Sequence, residues 1–395
     1  MDESLARWLV GPGGAEALAE AAGWPDPSSL AAARALRRRW TPEQAAAVTR
    51  QVELRRRAVA KFGERSGELF FTSDGLEQAT RAGVAAWRAG RFAAAGAERV
   101  IDLGCGIGAD ALAFADAGLE VVAVERDPAT AVLAQANLAD RGRVVTGDAV
   151  ELADRLTGPG DAVFLDPARR TARGRTWRVA DVSPSWEWAV GRLADRVGCL
   201  KAGPGIAHAD LPEALAAAWV SDRGDLVEAG LWSGQPDWTP GSRAVVLLPD
   251  GIEWPVEQRP APRIGAVGRY LHEPDPAVIR AGGIPALAER LDGRLLAPGI
   301  AYLTTDNLVE TPLATGFEIE RVLPHDERTL RGWVREAAIG ALEIKVRGLD
   351  LDPAALRRRL KLAGPRSATV ILTPTPDGAR ALIARRLRDP GAEER

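Results

Sequence analysis

The chain has 395 residues, 46% hydrophobic and 27% charged, with a formal net charge of −3, which suits an ordinary globular protein of two or three domains and excludes a chain-wide basic field. Two cysteines, Cys105 and Cys199, and three histidines exclude a disulfide framework and a zinc site, and no metal is expected. The N-terminus does not read as a signal peptide and no apolar run of about 18 residues suggests a membrane span, so a cytoplasmic location without membrane contact is expected.

Residues 1–95 read as an N-terminal helical domain of Ala-, Leu- and Arg-rich segments broken by Gly and Pro. Thr41 ahead of Pro42 predicts a helix start, a capping hydroxyl followed by proline at the first helical position. That helix is expected to run to about Phe62 and to carry Arg55, Arg56 and Arg57 on a solvated face.

From Arg99 the pattern alternates. ERVIDLG reads as a strand, GADALAFADAG as a helix, LEVVAVE as a strand and PATAVLAQANLADRG as a helix. RVVTGDA, DAVFLDP, RVGCLKAGPG, GDLVEAGLW and SRAVVLLPD follow as further strands. Alternating β and α units predict an α/β domain over residues 96–252, built on a doubly wound, largely parallel sheet.

The Pro- and Gly-rich stretch 251–268 reads as a linker, and residues 253–395 as a C-terminal α+β region ending in a basic helix. Between 340 and 395 there are twelve basic and seven acidic residues, a net of +5, which would suit an anionic partner. Only four of the 51 basic residues are lysines (Lys61, Lys201, Lys345 and Lys361), and Tyr270 and Tyr302 are the only tyrosines.

Chemistry concentrates at the predicted strand ends. Asp102-Leu103-Gly104-Cys105-Gly106-Ile107-Gly108 lies where the first strand hands over to a helix. Glycines there let the backbone approach a ligand, and the helix N-terminus offers free N–H groups. Glu125 ends the next strand, suited to two ribose hydroxyls, and Asp148 follows the third, where it could meet an adenine amine. Gly104, Gly106 and Ala109 could pass as a dinucleotide fingerprint. Asp102 argues against that, because a carboxylate beside the glycines suits a cationic amino group and repels a pyrophosphate.

In this order, Asp102, Gly104, Gly106, Glu125, Asp148 and Asp166 resemble the set of a class I S-adenosylmethionine methyltransferase. The wider chain resembles a bacterial family of such enzymes carrying a C-terminal THUMP-like domain. The resemblance rests on KFGERSGELFFTSDGLEQATRAGVAAWRAGRF, DLGCGIGADALAFA, FLDPARRT, KAGPGI, RYLHEPDPAVIRAGGI, APGIAYLTTD and LEIKVRGLDLDPAALRRRLKLAG, and covers most of residues 60–365. It implies a Rossmann-like class I fold, S-adenosyl-L-methionine as cofactor and RNA as partner. More distantly, the FFT segment and the cofactor core are similar to the trimethylguanosine-synthase group, which methylates guanine N2 in RNA. That likeness implies Phe71 and Thr72 as cofactor contacts.

Asp166-Pro167 is expected to orient the acceptor, its carboxylate and a proline carbonyl taking hydrogens. Enzymes acting on exocyclic amines continue with a second proline and an aromatic ring, where this chain has Ala168 and Arg169. Asp-Pro-x-Arg is also similar to the uridine C5 methyltransferases, for which Cys199 would have to be a nucleophile; its strand position favours a small buried hydrophobe. Arg169 and Arg170 could clamp a substrate anion. Lys201 could do the same or pair with Asp166. A stacking ring could come from Trp177, Trp186, Trp188, Trp232 or Trp238. The acceptor atom stays open, between a base in structured RNA and a small molecule methylated on oxygen, the extra domains then forming a lid.

Overall fold

The computed structural model describes residues 1–169 and 179–387. They form two compact units, which divide between Glu253 and Trp254.

The first unit opens with helices α1 (Glu3–Val10), α2 (Pro12–Ala22), α3 (Leu30–Leu36), α4 (Pro42–Phe62), α5 (Ser73–Gln78) and α6 (Ala82–Ala94). α4 starts and ends where its sequence predicts. The Thr41 hydroxyl accepts from Gln44 N and the Gln44 side chain accepts from Thr41 N, a reciprocal cap with Pro42 behind it. Of the arginines expected on its solvated face, Arg56 and Arg57 are exposed and Arg55 is half-buried. Arg55 Nε donates to Leu69 O (2.9 Å) and Arg56 to Trp24 O and Pro25 O. The early helices bury Ala6, Leu9, Leu18 and Val48 together with Ala129 and Leu133, so they belong to the same compact unit as the sheet.

The sheet unit continues through β1 (Arg99–Leu103), α7 (Ala109–Asp116), β2 (Glu120–Glu125), α8 (Pro128–Leu138), β3 (Arg143–Thr146), α9 (Ala149–Leu156) and β4 (Ala162–Leu165). A short pair, β5 (Ala168–Arg169) and β6 (Val182–Ser183), precedes α10 (Trp186–Gly191), β7 (Gly198–Ala202), β8 (Ala216–Asp222), β9 (Asp225–Ser233), β10 (Arg243–Leu248) and β11 (Ile252–Pro255). Nine strands pair in the order β11-β10-β8-β9-β7-β4-β1-β2-β3. β3, β2, β1, β4 and β7 run parallel, as the alternation predicts. β9 enters antiparallel between β7 and β8. β8 is absent from the sequence reading because its alanine-rich AAAWVSD has weak strand preference. β11 occupies the start of the stretch expected to be a linker.

Register places the chemistry. Leu103 pairs with Val124 and with Leu165, Glu125 with Thr146, and Leu165 with Leu200. Gly104, Glu125, Gly147, Asp166 and Lys201 therefore leave the sheet together at its carboxyl edge, where open α/β sheets bind ligands.

The second unit holds β12 (Tyr270–Pro274), α11 (Pro276–Arg280), α12 (Ile284–Leu291), β13 (Arg294–Leu295), β14 (Leu303–Thr305), β15 (Ala314–Pro324), α13 (Glu327–Glu336), β16 (Ile339–Val346), α14 (Pro353–Leu360), β17 (Arg366–Thr375) and β18 (Gly378–Arg386). Its seven strands run β13-β14-β12-β15-β18-β17-β16. Alternation along β17 and β18 feeds two cores. Val370, Leu372 and Ile383 meet Leu330, Trp333 and Leu356 of the helices, while Ile371 and Leu382 meet Leu271, Tyr302 and Phe317. The expected basic terminal helix is split: Arg357, Arg358 and Arg359 lie on α14, but Arg385 and Arg386 lie on strand β18.

Candidate active site

Two backbone devices shape the glycine loop. Gly104 and Gly106 have φ of +104° and +56°, which favour residues without a Cβ. Gly104 N and Cys105 N both donate to Val124 O, tying the loop to β2. A Cβ on Gly104 would lie 4.0 Å from Asp166 O, so the cofactor loop and the Asp-Pro corner are backbone neighbours.

Asp102 is the most unusual group. It is 0% exposed, and among the described residues neither carboxylate oxygen has a hydrogen-bond partner. Burial first, then repulsion from Asp110 and Asp166, pushes its carboxyl well above the usual aspartate range. A buried carboxylate without a hydrogen-bonded cation is costly to the protein alone, and Arg88 offsets only part of the rise. It fits an amino acid-bearing cofactor, whose ammonium would supply the missing charge.

Glu125 is tied back to the loop: Oε2 accepts from Gly106 N (2.9 Å) and Oε1 from Asp127 N (2.8 Å). Burial raises its carboxyl and those two donors oppose the rise. Asp148 caps α9 through Val150 N (2.8 Å). Thr72 caps α5, its hydroxyl accepting from Gly75 N, and Phe71 is buried against Phe62 at 5.5 Å. The FFT segment is held to the loop by Asn137 of α8. Its side chain makes two bonds to Phe70 (Oδ1 from N, 2.7 Å; Nδ2 to O, 2.9 Å) and a third to Ile107 O, 2.9 Å. Asn137 is not among the residues expected at the site. Its signal is an amide within an alanine-rich helix, and in the fold it is only 6% exposed.

At the corner, Lys201 Nζ donates to Asp166 Oδ2 (2.7 Å) and to Thr80 Oγ1 (3.0 Å). Of the two open roles for Lys201, the structure has the pair. Burial opposes its charge, but Asp166, Asp110 and Glu228 outweigh burial and hold the ammonium above its ordinary value. Burial raises the Asp166 carboxyl and Lys201 pulls against it. Behind them lie Arg88, Asp110 and Glu228, none singled out in the sequence. Arg88 stands in the buried stripe of α6 with Val84 and Phe92, a charge at an apolar position of the helical repeat.

Cys199 is fully buried in the core, 3.9 Å from Arg88, and burial pushes its thiol up to about 12. That removes it as a nucleophile and fits the small-hydrophobe reading. Trp232 and Trp238 pack with Trp87 in the same core, and Trp186 is 9% exposed. Trp188 is half-buried beside Arg192. Arg169 lies in β5, while Arg170 and Trp177 fall outside the described residues.

In the second unit a concavity of about 1080 Å³ is lined by Arg321, Arg357, Arg366, Arg385 and Arg386 against Glu320, Glu336 and Glu343. Pairs such as Arg386–Glu343 (3.3 Å) neutralise part of that charge. Among the described residues no His, Cys, Asp and Glu cluster is arranged for a metal ion, and no helix is long and apolar enough to cross a membrane.

Comparison with known proteins gives the family. A THUMP domain-like model matches residues 314–386, and a Domain of unknown function (DUF8688) matches 2–58. An uncharacterized S-adenosylmethionine-dependent methyltransferase of Mycobacterium tuberculosis is 34% identical over 332 residues, covering 81% of this chain and 90% of its own. A crystal structure from Porphyromonas gingivalis W83, of a protein assigned as a methyltransferase, superposes with a TM-score of 0.79 at 25% identity, covering 95% of this chain and 99% of that one. The chain belongs to the S-adenosylmethionine-dependent methyltransferases with a THUMP-like domain, and its fold is that of the class I enzymes.

Proposed function

We propose that the protein methylates a base in a structured RNA of the cytoplasm. The observation that carries the RNA reading is the THUMP-like domain on the same chain as the methyltransferase sheet. The arginine-lined concavity in that unit supports it, as a surface suited to phosphates.

S-adenosylmethionine supplies a methyl group on a sulfonium, so the protein's task is alignment of a nucleophile with it, worth roughly 7 to 11 kcal/mol at most. In this reading Asp102 takes the cofactor's amino group, and Gly104 and Gly106 let the loop lie against it. Glu125 accepts from ribose hydroxyls, Asp148 from the adenine amine, and Phe71 and Thr72 flank the site. Asp166 Oδ1 and the Pro167 carbonyl accept hydrogens of the acceptor and aim it. Arg169 and Arg170 hold a neighbouring phosphate.

The test compares modified nucleosides from wild-type and deletion strains by mass spectrometry, then restores the missing one in vitro with labelled cofactor. Asp166→Ala is expected to lose on the order of 10²-fold in transfer while still binding cofactor. Identical nucleoside profiles, with label entering metabolites instead, would overturn the RNA reading.

A further inference from the structure

Six side chains form one continuous buried chain that surfaces at the acceptor corner. Arg88 Nη1 and Nη2 donate to Glu228 Oε1 and Oε2 at 2.8 Å each, and its Nε donates to Asp110 Oδ1 at 3.0 Å. Asp110 Oδ2 accepts from the Thr80 hydroxyl at 2.6 Å. Thr80 Oγ1 accepts from Lys201, which also holds Asp166.

The direction of this chain is forced. A lysine ammonium only donates, a carboxylate only accepts, and a threonine hydroxyl has one proton. Thr80 must therefore spend its proton on Asp110 and receive from Lys201. Burial grades along the chain: Arg88, Glu228, Thr80 and Asp110 are all under 8% exposed, the Lys201 side chain is 14% exposed and Asp166 36%.

Charge and topology give the arrangement its purpose. Two cations face three carboxylates, so without Lys201 the Asp166 carboxylate would stand uncompensated near Asp110 and Glu228. A buried ionic network of this kind adds little net stability over a well-packed apolar core. It does fix geometry, and its members come from different elements: α6, the turn before it, α7, β9, β7 and the end of β4. α7 begins at the glycine loop, with Gly108 as its cap. Asp110 thus couples the loop to the corner.

We infer that Lys201 is a positioning residue, which fixes the orientation and the ionised state of Asp166 and is itself fixed by Arg88 through Asp110 and Thr80. The inference rests on the reading of Asp166 as the acceptor-orienting group. It assigns Oδ2 to Lys201 and leaves Oδ1 for the acceptor, and it takes Lys201 out of direct substrate binding.

The scarcity of lysine makes a direct test possible. Protein labelled with 15N-lysine has four ammonium groups, each assignable by one Lys→Arg variant. The Lys201 signal is expected to exchange slowly and to shift in both Asp166→Asn and Thr80→Val, with Lys345 and Lys361 of the second unit staying in place and cofactor affinity by calorimetry unchanged. A Lys201 signal identical in wild type and both variants would overturn the inference. That arm needs no acceptor, so it stands apart from the RNA reading. With RNA from the deletion strain as acceptor, Lys201→Met is expected to lower kcat on the order of 10²-fold at unchanged cofactor affinity, with partial rescue in Lys201→Arg. Full activity in Lys201→Met would overturn a positioning role even where the pairing is seen.

Discussion

Arg88 and Glu228 are joined by two parallel N–H···O bonds of 2.8 Å, and neither side chain is more than 3% exposed. The guanidinium also lies over the Phe164 ring, 4.8 Å from its centroid, so an ionic knot sits directly under β4. Arg88 serves two carboxylates, Glu228 and Asp110, whereas removal of either carboxylate leaves Arg88 paired with the other.

That asymmetry sets an order of costs. Arg88→Met takes both guanidinium bonds from Glu228 and leaves Asp110 only its bond from Thr80, and is expected to destabilise by about 3 to 5 kcal/mol, the range for breaking a buried pair. Glu228→Gln leaves Arg88 paired with Asp110 and is expected to cost less. Urea unfolding of the two variants checks the order; equal costs would mean that Asp110 is not held by Arg88.

The strand ends were readable in the chain because each is a local event: an apolar run, then Gly104, Glu125, Gly147-Asp148 or Asp166-Pro167. Parallel pairing brings such ends together without further information. The knot beneath them was not readable. Arg88 lies in GVAAWRAGRF within a chain whose basic residues are nearly all arginine, so its type carries no signal; only its place in the stripe of Val84 and Phe92 does. Glu228 arrives on a strand whose direction is opposite to its neighbours, and strand direction leaves no trace in a period of two. Arg385 and Arg386 show the same limit, since a basic ARR stretch reads alike as helix face or strand.

Asp102 links stability to pH and to the cofactor. Its folded value lies above its unfolded value, so the native state binds the extra proton in between. Stability without cofactor is therefore present below about pH 3.9 and is lost as pH rises toward the raised folded value. Asp102→Asn is expected to flatten that loss and raise the melting temperature at about pH 8. The same change removes a charge-assisted bond of about 1.5 to 3 kcal/mol and is expected to weaken cofactor binding by roughly 10- to 100-fold. Thermal melts across pH and calorimetry with S-adenosylmethionine read the two effects. A variant that melts lower at alkaline pH and binds unchanged would contradict both.

Asn137 offers a test of the FFT segment. Its side chain supplies three hydrogen bonds, two to the Phe70 backbone and one to Ile107 O. Asn137→Ala leaves buried backbone groups unpaired, at about 1 to 3 kcal/mol for each one left dry. If Phe71 and Thr72 flank the cofactor, its affinity should fall along with stability. Cofactor affinity equal to wild type in a folded Asn137→Ala protein would place the segment outside the site.

His272 carries an independent prediction for the second unit. It is 1% exposed, and its Nε2 lies 3.1 Å from the Thr305 hydroxyl, which spends its own proton on Asn307 O at 2.7 Å. Thr305 can then only accept, so Nε2 of His272 carries a proton. Burial lowers its pKa to about 4. The unfolded chain binds a proton near pH 6.5 that the folded chain refuses. Stability is therefore full above that value and falls by about 3 kcal/mol as pH drops toward 4. His272→Gln, which can still donate to Thr305, is expected to remove much of this acid limb. With three histidines in the chain, 15N spectra can follow the ring directly. A His272 ring that titrates near 6.5, or carries its proton on Nδ1, would refute the assignment.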